Sequence, residues 1–128
     1  MRLFRFVGEH EVFQLLTNET LHNDYDWSAE YDTNSKGICF FAYNRTDNIN
    51  YIINRVLDDW GFEGIVKTFA LVEIEVEHAR KAWGFYSGGM RTEYNLSEYS
   101  IENVTAIYRI KEEFDEKTWD SYKAHKVF

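Results

Sequence analysis

The chain contains few of the residues that cross-link a fold or mark its turns and linkers. Its 128 residues include one cysteine, Cys39, seven glycines and no proline. A single cysteine excludes an internal disulfide. Together with the lack of a signal-peptide pattern, this predicts a reducing, cytoplasmic location. Because no proline- or glycine-rich linker interrupts the sequence, we expect one domain spanning residues 1–128.

Excess basic charge and long apolar runs are also missing. The formal net charge is −8 at pH 7, which argues against wrapping nucleic acid and against docking on an anionic membrane. No apolar run reaches the length that crosses a bilayer. The acidity favours either simple solubility or contact with a basic partner, for instance by imitation of DNA.

Aromatic side chains, by contrast, are abundant. Phe, Tyr and Trp make up 18% of the chain and all hydrophobic residues 45%, so an ordered core is expected. The periodicity predicts an α+β fold with strands at 3–7, 37–42, 65–76, 92–96 and 104–110, and helices at 9–16, 47–60 and 115–125. Residues 23–36 and 78–91 are expected to form irregular segments.

The helix at 47–60 carries the strongest pattern. One face gathers six apolar side chains, and Gly61 is expected to end the helix; the six are Ile49, Ile52, Ile53, Val56, Leu57 and Trp60. Tyr51 lies nearly opposite this stripe, as either a plain surface residue or part of a second contact. The outer helices are expected to bury Val12, Phe13, Leu15 and Leu16 in the first, and Trp119 and Tyr122 in the last.

Metal and nucleophile chemistry find little support in the sequence. The four histidines are scattered, and Glu75-Val76-Glu77-His78 has no second ligand cluster at a suitable spacing. Cys39 stands between Ile38 and Phe40 in an apolar strand, where packing is expected rather than nucleophilic work.

Three segments resemble motifs of the ADP-ribosyltransferase superfamily. In the poly-ADP-ribose-polymerase branch, a Gly-Ile-Tyr-Phe-Ala strand leads to a helix with an Asn-Tyr pair. Residues 36–42, Lys-Gly-Ile-Cys-Phe-Phe-Ala, are similar to that strand if Cys39 is one inserted residue, and Asn50-Tyr51 falls on the pair. Residues 93–108 are similar to the segment around the family's catalytic glutamate, and Leu3-Phe4-Arg5 to its first strand.

The resemblance implies a small mixed or antiparallel split sheet flanked by about three helices, with NAD as co-substrate. It implies Glu93 as the catalytic carboxylate and Arg5 as the group that holds ribose or phosphate. Phe40, Phe41 and Tyr51 would hold the cofactor, with nicotinamide stacked between the rings of Phe40 and Tyr51. Phe40 replaces the family's tyrosine, and Phe6 replaces a small residue.

Two functions therefore follow from the sequence. The first is an NAD-dependent ADP-ribosyltransferase-like toxin or phage-type effector that modifies a protein or nucleic-acid acceptor. The alternative is a non-catalytic acidic inhibitor that blocks a basic partner surface. Its candidate carboxylates are Asp24, Asp26, Glu30, Asp32, Asp58, Asp59 and Glu63. Convergence of Arg5, Tyr51 and Glu93 in one cleft would favour the enzyme.

Overall fold

Nine strands and two α-helices make up the described part of the protein. A computed structural model describes residues 1–22, 37–81 and 92–128, with the backbone alone for 59–67. The strands are β1 (Arg2–Val7), β2 (Leu21–His22), β3 (Ile38–Ala42), β4 (Ala70–Glu75), β5 (Arg80–Lys81), β6 (Thr92–Leu96), β7 (Glu98–Tyr99), β8 (Val104–Glu112) and β9 (Tyr122–Lys126). The helices are α1 (Glu9–Leu16) and α2 (Ile49–Lys67), and a 3-10 turn spans Ile101–Asn103.

Seven strands form one antiparallel sheet in the order β5-β6-β3-β1-β4-β8-β9, and β2 pairs with β7 beside it. This confirms the predicted α+β class and the mostly antiparallel sheet. The described residues hold two α-helices where about three were expected. The predicted loop at 23–36, with its four candidate acids, lies outside the described residues, as do 82–91.

Alternating side chains divide the core into two layers, one on each face of the sheet. On one face, α1 and the small sheet pack through Val12, Leu15 and Tyr99 onto residues such as Leu3 and Phe40. On the other face, α2 packs through buried Ile52, Ile53, Val56 and Leu57 onto Phe4, Phe41, Leu71 and Ile110. The sheet is therefore covered on both sides, and its strands are apolar on both faces.

Helix α2 confirms the predicted apolar stripe but extends past its predicted end. Asn48 caps it, because its side-chain oxygen accepts the Tyr51 N–H at 3.1 Å. The stop at Gly61 is wrong, since the helix continues to Lys67. A glycine costs a helix only about 1 kcal/mol and does not break its hydrogen bonds. The predicted strand at 65–76 therefore begins only at Ala70, and the side chain of Trp60 lies outside the description.

The predicted C-terminal helix at 115–125 is wrong. Residues 113–121 instead form the tip of a β-hairpin whose second strand, β9, pairs with β8 from Glu112↔Tyr122 to Tyr108↔Lys126. Pairing with a distant strand outweighs a weak local helical pattern. Tyr122 does pack against the core, but Trp119 is 79% exposed.

The short helix α1 has the predicted bounds but a narrower buried face. Val12 and Leu15 are buried, whereas Phe13 and Leu16 are 63% and 53% exposed. Val12 and Leu15 are three residues apart and share one face of the helix. Phe13 and Leu16 each follow one of them and point about 100° away from that face. In the described residues no helix is long and apolar enough to span a membrane.

Candidate functional site

Adjacent strands β1, β3 and β6 bring together four of the five predicted site residues. Arg5, Phe40, Phe41 and Glu93 line a depression of about 110 Å³, together with Phe6 and Cys39. The register explains this grouping, since Phe4 faces Phe41 across β1 and β3, and Phe41 faces Glu93 across β3 and β6. The order of the three sequence segments thus corresponds to neighbouring strands.

The four side chains nevertheless leave the sheet on opposite faces. Phe40 belongs to the core layer under α1 and Phe41 to the layer under α2. Arg5 reaches Glu11 of α1, whereas Glu93 shares the face of its direct cross-strand partner, Phe41. The depression is therefore an opening between strands and not a cleft into which Arg5 and Glu93 both project.

Arg5 is held by an internal hydrogen-bond network. Its Nε and Nη2 donate to the two carboxylate oxygens of Glu11 at 2.8 and 3.0 Å, and Nη1 donates to the Cys39 carbonyl at 3.1 Å. The Tyr99 hydroxyl donates to the same Glu11 carboxylate. Burial works to lower the pKa of Arg5, but the hydrogen bonds and charge of Glu11 outweigh it and raise that pKa. The guanidinium is thus charged and engaged as a bidentate pair.

Tyr99 and Phe40 complete the layer beneath α1. Burial, followed by the neighbouring Glu11 carboxylate, raises the pKa of Tyr99 strongly. The Phe40 ring packs edge-on against Tyr99, with ring centroids 5.0 Å apart, and Phe40 is buried. In this conformation the Phe40 ring is a core contact, and its role in holding a cofactor remains a prediction.

Cys39 is half-buried on the rim of the same depression. Burial raises the pKa of its thiol, and the charge of Glu93 raises it further, against a smaller opposing effect of Arg5. A raised pKa keeps the thiol protonated at neutral pH, which makes it a poor nucleophile. This environment suits the packing role expected from the sequence.

Tyr51 lies apart from the other predicted site residues. Its side chain is 41% exposed, on the side of α2 away from the core stripe. It lines a larger depression of about 380 Å³ between the start of α2 and the β8–β9 hairpin, which shares no lining residue with the smaller one. The expected convergence in one cleft therefore omits Tyr51, because α2 turns it toward the hairpin.

Two asparagines one helical turn apart fasten the hairpin to α2. Asn54 Nδ2 donates to the Tyr122 carbonyl at 2.9 Å, and its Oδ1 accepts the N–H groups of Ser121 and Tyr122 at 3.1 and 3.0 Å. Asn50 Oδ1 accepts the Ala124 N–H at 2.8 Å. Sequence reasoning missed this arrangement, although the i, i+4 spacing on one helix face was a visible signal.

The hairpin tip, residues 113–121, presents two aromatic rings to solvent. Phe114 and Trp119 are 59% and 79% exposed, and their rings meet nearly at right angles with centroids 5.8 Å apart. The tip is ordered by backbone hydrogen bonds from Trp119 N–H to Asp115 O and from Asp115 N–H to Asp120 O. Its carboxylates are Glu113, Asp115, Glu116 and Asp120, against one lysine, Lys117.

Trp119 also has an unusual backbone conformation. Its φ of +62° lies in the left-handed region, which glycine and asparagine tolerate and bulky residues avoid. A large ring held there and turned outward gains little from burial. This conformation was not predicted, because the sequence pattern indicated a helix through the same residues.

Among the side chains that the structure describes, no three His, Cys, Asp or Glu groups come close enough to hold a metal ion. Comparisons with protein-family models, with curated proteins and with solved structures find no match for this chain. The likeness to ADP-ribosyltransferases therefore consists of the motif residues alone.

Proposed function

We propose that this protein is a non-catalytic acidic binding protein that blocks a basic surface on a partner. The hairpin tip is the observation that carries the proposal. It exposes the rings of Phe114 and Trp119 among four carboxylates, on a loop fastened to α2 by Asn54. Exposed aromatic anchors on a rigid support are typical of the residues that contribute most to protein–protein binding.

The charge of the molecule supports the same proposal. A net charge of −8 attracts a positively charged partner over a distance and speeds association at low salt. Of the carboxylates named from the sequence for this role, Asp58 is exposed, and the side chains of Asp24, Asp26, Glu30, Asp32, Asp59 and Glu63 lie outside the described residues. The hairpin adds Asp115 and Glu116, whereas Glu113 and Asp120 are paired with His125 and Arg55.

The test is affinity capture from cells that produce the protein, followed by titration with the purified partner. Wild type is compared with Trp119→Gly and with Phe13→Ser, a control at an exposed ring on α1. We expect the partner to bind wild type and Phe13→Ser, and to bind more weakly as salt increases, because exposed charges are screened within about 8–10 Å. An affinity that does not change with salt concentration and is the same for wild type and Trp119→Gly would refute the proposal.

The NAD-dependent transferase is the second candidate, and one observation favours it. Arg5, Phe40, Phe41 and Glu93 line one depression, although the sequence separates them by up to 88 positions. Cleavage of the nicotinamide–ribose bond builds positive charge on the ribose carbon, and a carboxylate such as Glu93 stabilises that charge. Against this, Arg5 and Glu93 leave the sheet on opposite faces, and Glu11 already neutralises Arg5. Small-molecule pockets also usually enclose about 300–1000 Å³.

Incubation with labelled NAD and lysate tests this candidate directly. If the enzyme hypothesis holds, wild type releases nicotinamide, and Glu93→Gln slows the release about 100–1000-fold with little change in NAD affinity. Phe13→Ser serves again as the matched surface control. Absence of NAD binding and of nicotinamide release by wild type would remove the transferase and leave the binding protein.

A further inference from the structure

The exposed rings at the hairpin tip have a geometry that suits a cationic side chain. The planes of Phe114 and Trp119 meet at 78° in an edge-to-face pair of exposed rings, called the corner below. The face of an aromatic ring carries negative charge density and attracts ammonium and guanidinium groups. A corner of two rings offers such a group more than one aromatic contact.

The hairpin tip carries more carboxylates than cationic groups, Glu113, Asp115, Glu116 and Asp120 against Lys117, which favours a cation. Asp115 and Glu116 directly follow Phe114 in the sequence, whereas the Asp120 carboxylate is mostly covered and pairs with Arg55. The pKa of Asp115 is lowered, first by the hydrogen bond that it accepts from the Lys117 N–H at 2.9 Å. An incoming anion would be repelled, whereas a cation gains from both the rings and the carboxylates.

Beside the hairpin, Arg55 of α2 contacts both an aromatic ring of its own helix and a hairpin carboxylate. The guanidinium carbon of Arg55 lies 5.3 Å from the centre of the Tyr51 ring, and Nη2 contacts the Asp120 carboxylate at 3.3 Å. An aromatic face and a hairpin carboxylate therefore accommodate an arginine within the protein itself. Arginine suits such a place better than lysine, because its planar group stacks and donates two parallel hydrogen bonds.

The backbone of Trp119 indicates that its ring serves an external contact. A left-handed conformation favours glycine at this position, and the exposed indole gains little from the core. Strained conformations are maintained mostly where function requires them. Resting on the proposed binding function, we propose that the corner formed by Phe114 and Trp119 receives an arginine side chain from a basic segment of the partner protein.

The test uses the full chain and a synthetic peptide of alternating arginine and serine as the probe. Calorimetric titrations compare it with peptides that carry lysine or neutral citrulline in place of arginine. The proteins are wild type, Trp119→Gly, Trp119→Asn and the control Phe13→Ser. Glycine and asparagine both tolerate a φ of +62°, so we expect both variants to stay folded, with melting temperatures within about 5 °C of wild type.

We expect the arginine peptide to bind wild type and Phe13→Ser equally, and about tenfold more weakly to both Trp119 variants. The lysine peptide should bind wild type several-fold more weakly, and citrulline should not bind. Equal, salt-dependent binding of the arginine peptide to all four proteins would overturn the arginine corner while leaving the acidic binding function intact. Binding of the lysine peptide alone would also overturn the corner, and failure of every cationic peptide would count against both proposals.

Discussion

Removal of the Asn54 side chain should reveal how strongly the hairpin depends on α2. Asn54 is buried and makes four hydrogen bonds, of which three are to the backbone of Ser121 and Tyr122 and one is to the Asn50 carbonyl at 2.7 Å. In Asn54→Ala, the N–H groups of Ser121 and Tyr122 and the Tyr122 carbonyl remain but have no hydrogen-bond partner on α2. A buried polar group left without a partner costs about 1–3 kcal/mol.

The expected loss follows from how many of those groups water can reach. Ser121 is exposed and can bond to water, whereas Tyr122 is half-buried beside α2. Counting the N–H and carbonyl of Tyr122 at the low to middle of that range gives a loss of about 3 kcal/mol in the free energy of unfolding. For a domain of 128 residues, this corresponds to a fall in melting temperature of about 10–15 °C.

Urea denaturation measures the loss, and amide hydrogen exchange locates it. The N–H groups of Tyr122 and Ala124 should exchange faster in Asn54→Ala, while those of β1 and β4 should follow the global stability. Asn44→Ala, at an exposed asparagine, is the control and should change stability by less than about 0.5 kcal/mol. A loss below about 1 kcal/mol for Asn54→Ala, with unchanged exchange at Tyr122, would show that the Asn54 hydrogen bonds contribute little to stability.

Three further perturbations test the core and the network under α1. Ile53→Ala should lower the free energy of unfolding by about 2–5 kcal/mol in urea denaturation, since Ile53 of α2 is fully buried against the sheet; an unchanged free energy would contradict that packing. Phe40→Tyr should cost about 1–3 kcal/mol if the added hydroxyl is buried without a partner, and a neutral result would indicate that the hydroxyl finds a partner or water, as at an accessible cofactor site. Because the folded state raises the pKa of Tyr99, its contribution to stability is present below the ordinary tyrosine value of about 10 and is lost as pH rises above it. Tyr99→Phe should therefore lose less stability than wild type between about pH 9 and 11, and parallel losses would refute the assignment.

The sequence predicted best where the pattern is local. The bounds of α1 and of β6 agree with their expected ranges, because each pattern lies within one element and ends at a clear polar or glycine signal. Helix α2 was found from its stripe, but its end was not, since a glycine inside a helix resembles a glycine that terminates one. The hairpin was missed because its stability comes from pairing with β8, which a local window does not contain.

In the candidate site, too, the features that depend on tertiary contacts could not be predicted from the sequence. Neighbouring strands bring Arg5, Phe40, Phe41 and Glu93 to one depression, and their role as a site stays a prediction. The motif segments could not show that alternation turns Arg5 toward Glu11 and Glu93 toward the opposite face. Whether an arginine is free or paired depends on the carboxylate that the fold places beside it. Tyr51 was correctly placed on the outer side of its helix, but which element it meets there is a tertiary property.

The two ends of the large sheet have a consequence for how the protein behaves at high concentration. The outer strand of a sheet carries unpaired hydrogen-bonding groups that can recruit a strand from another molecule. At one end, β9 turns the N–H and carbonyl of Tyr122 and the N–H of Ala124 outward, where Asn54 and Asn50 occupy them. Among the described strands, β5 is at the other end; it is two residues long and both are cationic, Arg80 and Lys81. The asparagines therefore also protect against edge-to-edge aggregation, and their replacement by apolar residues would leave a sheet edge open to strands of neighbouring copies.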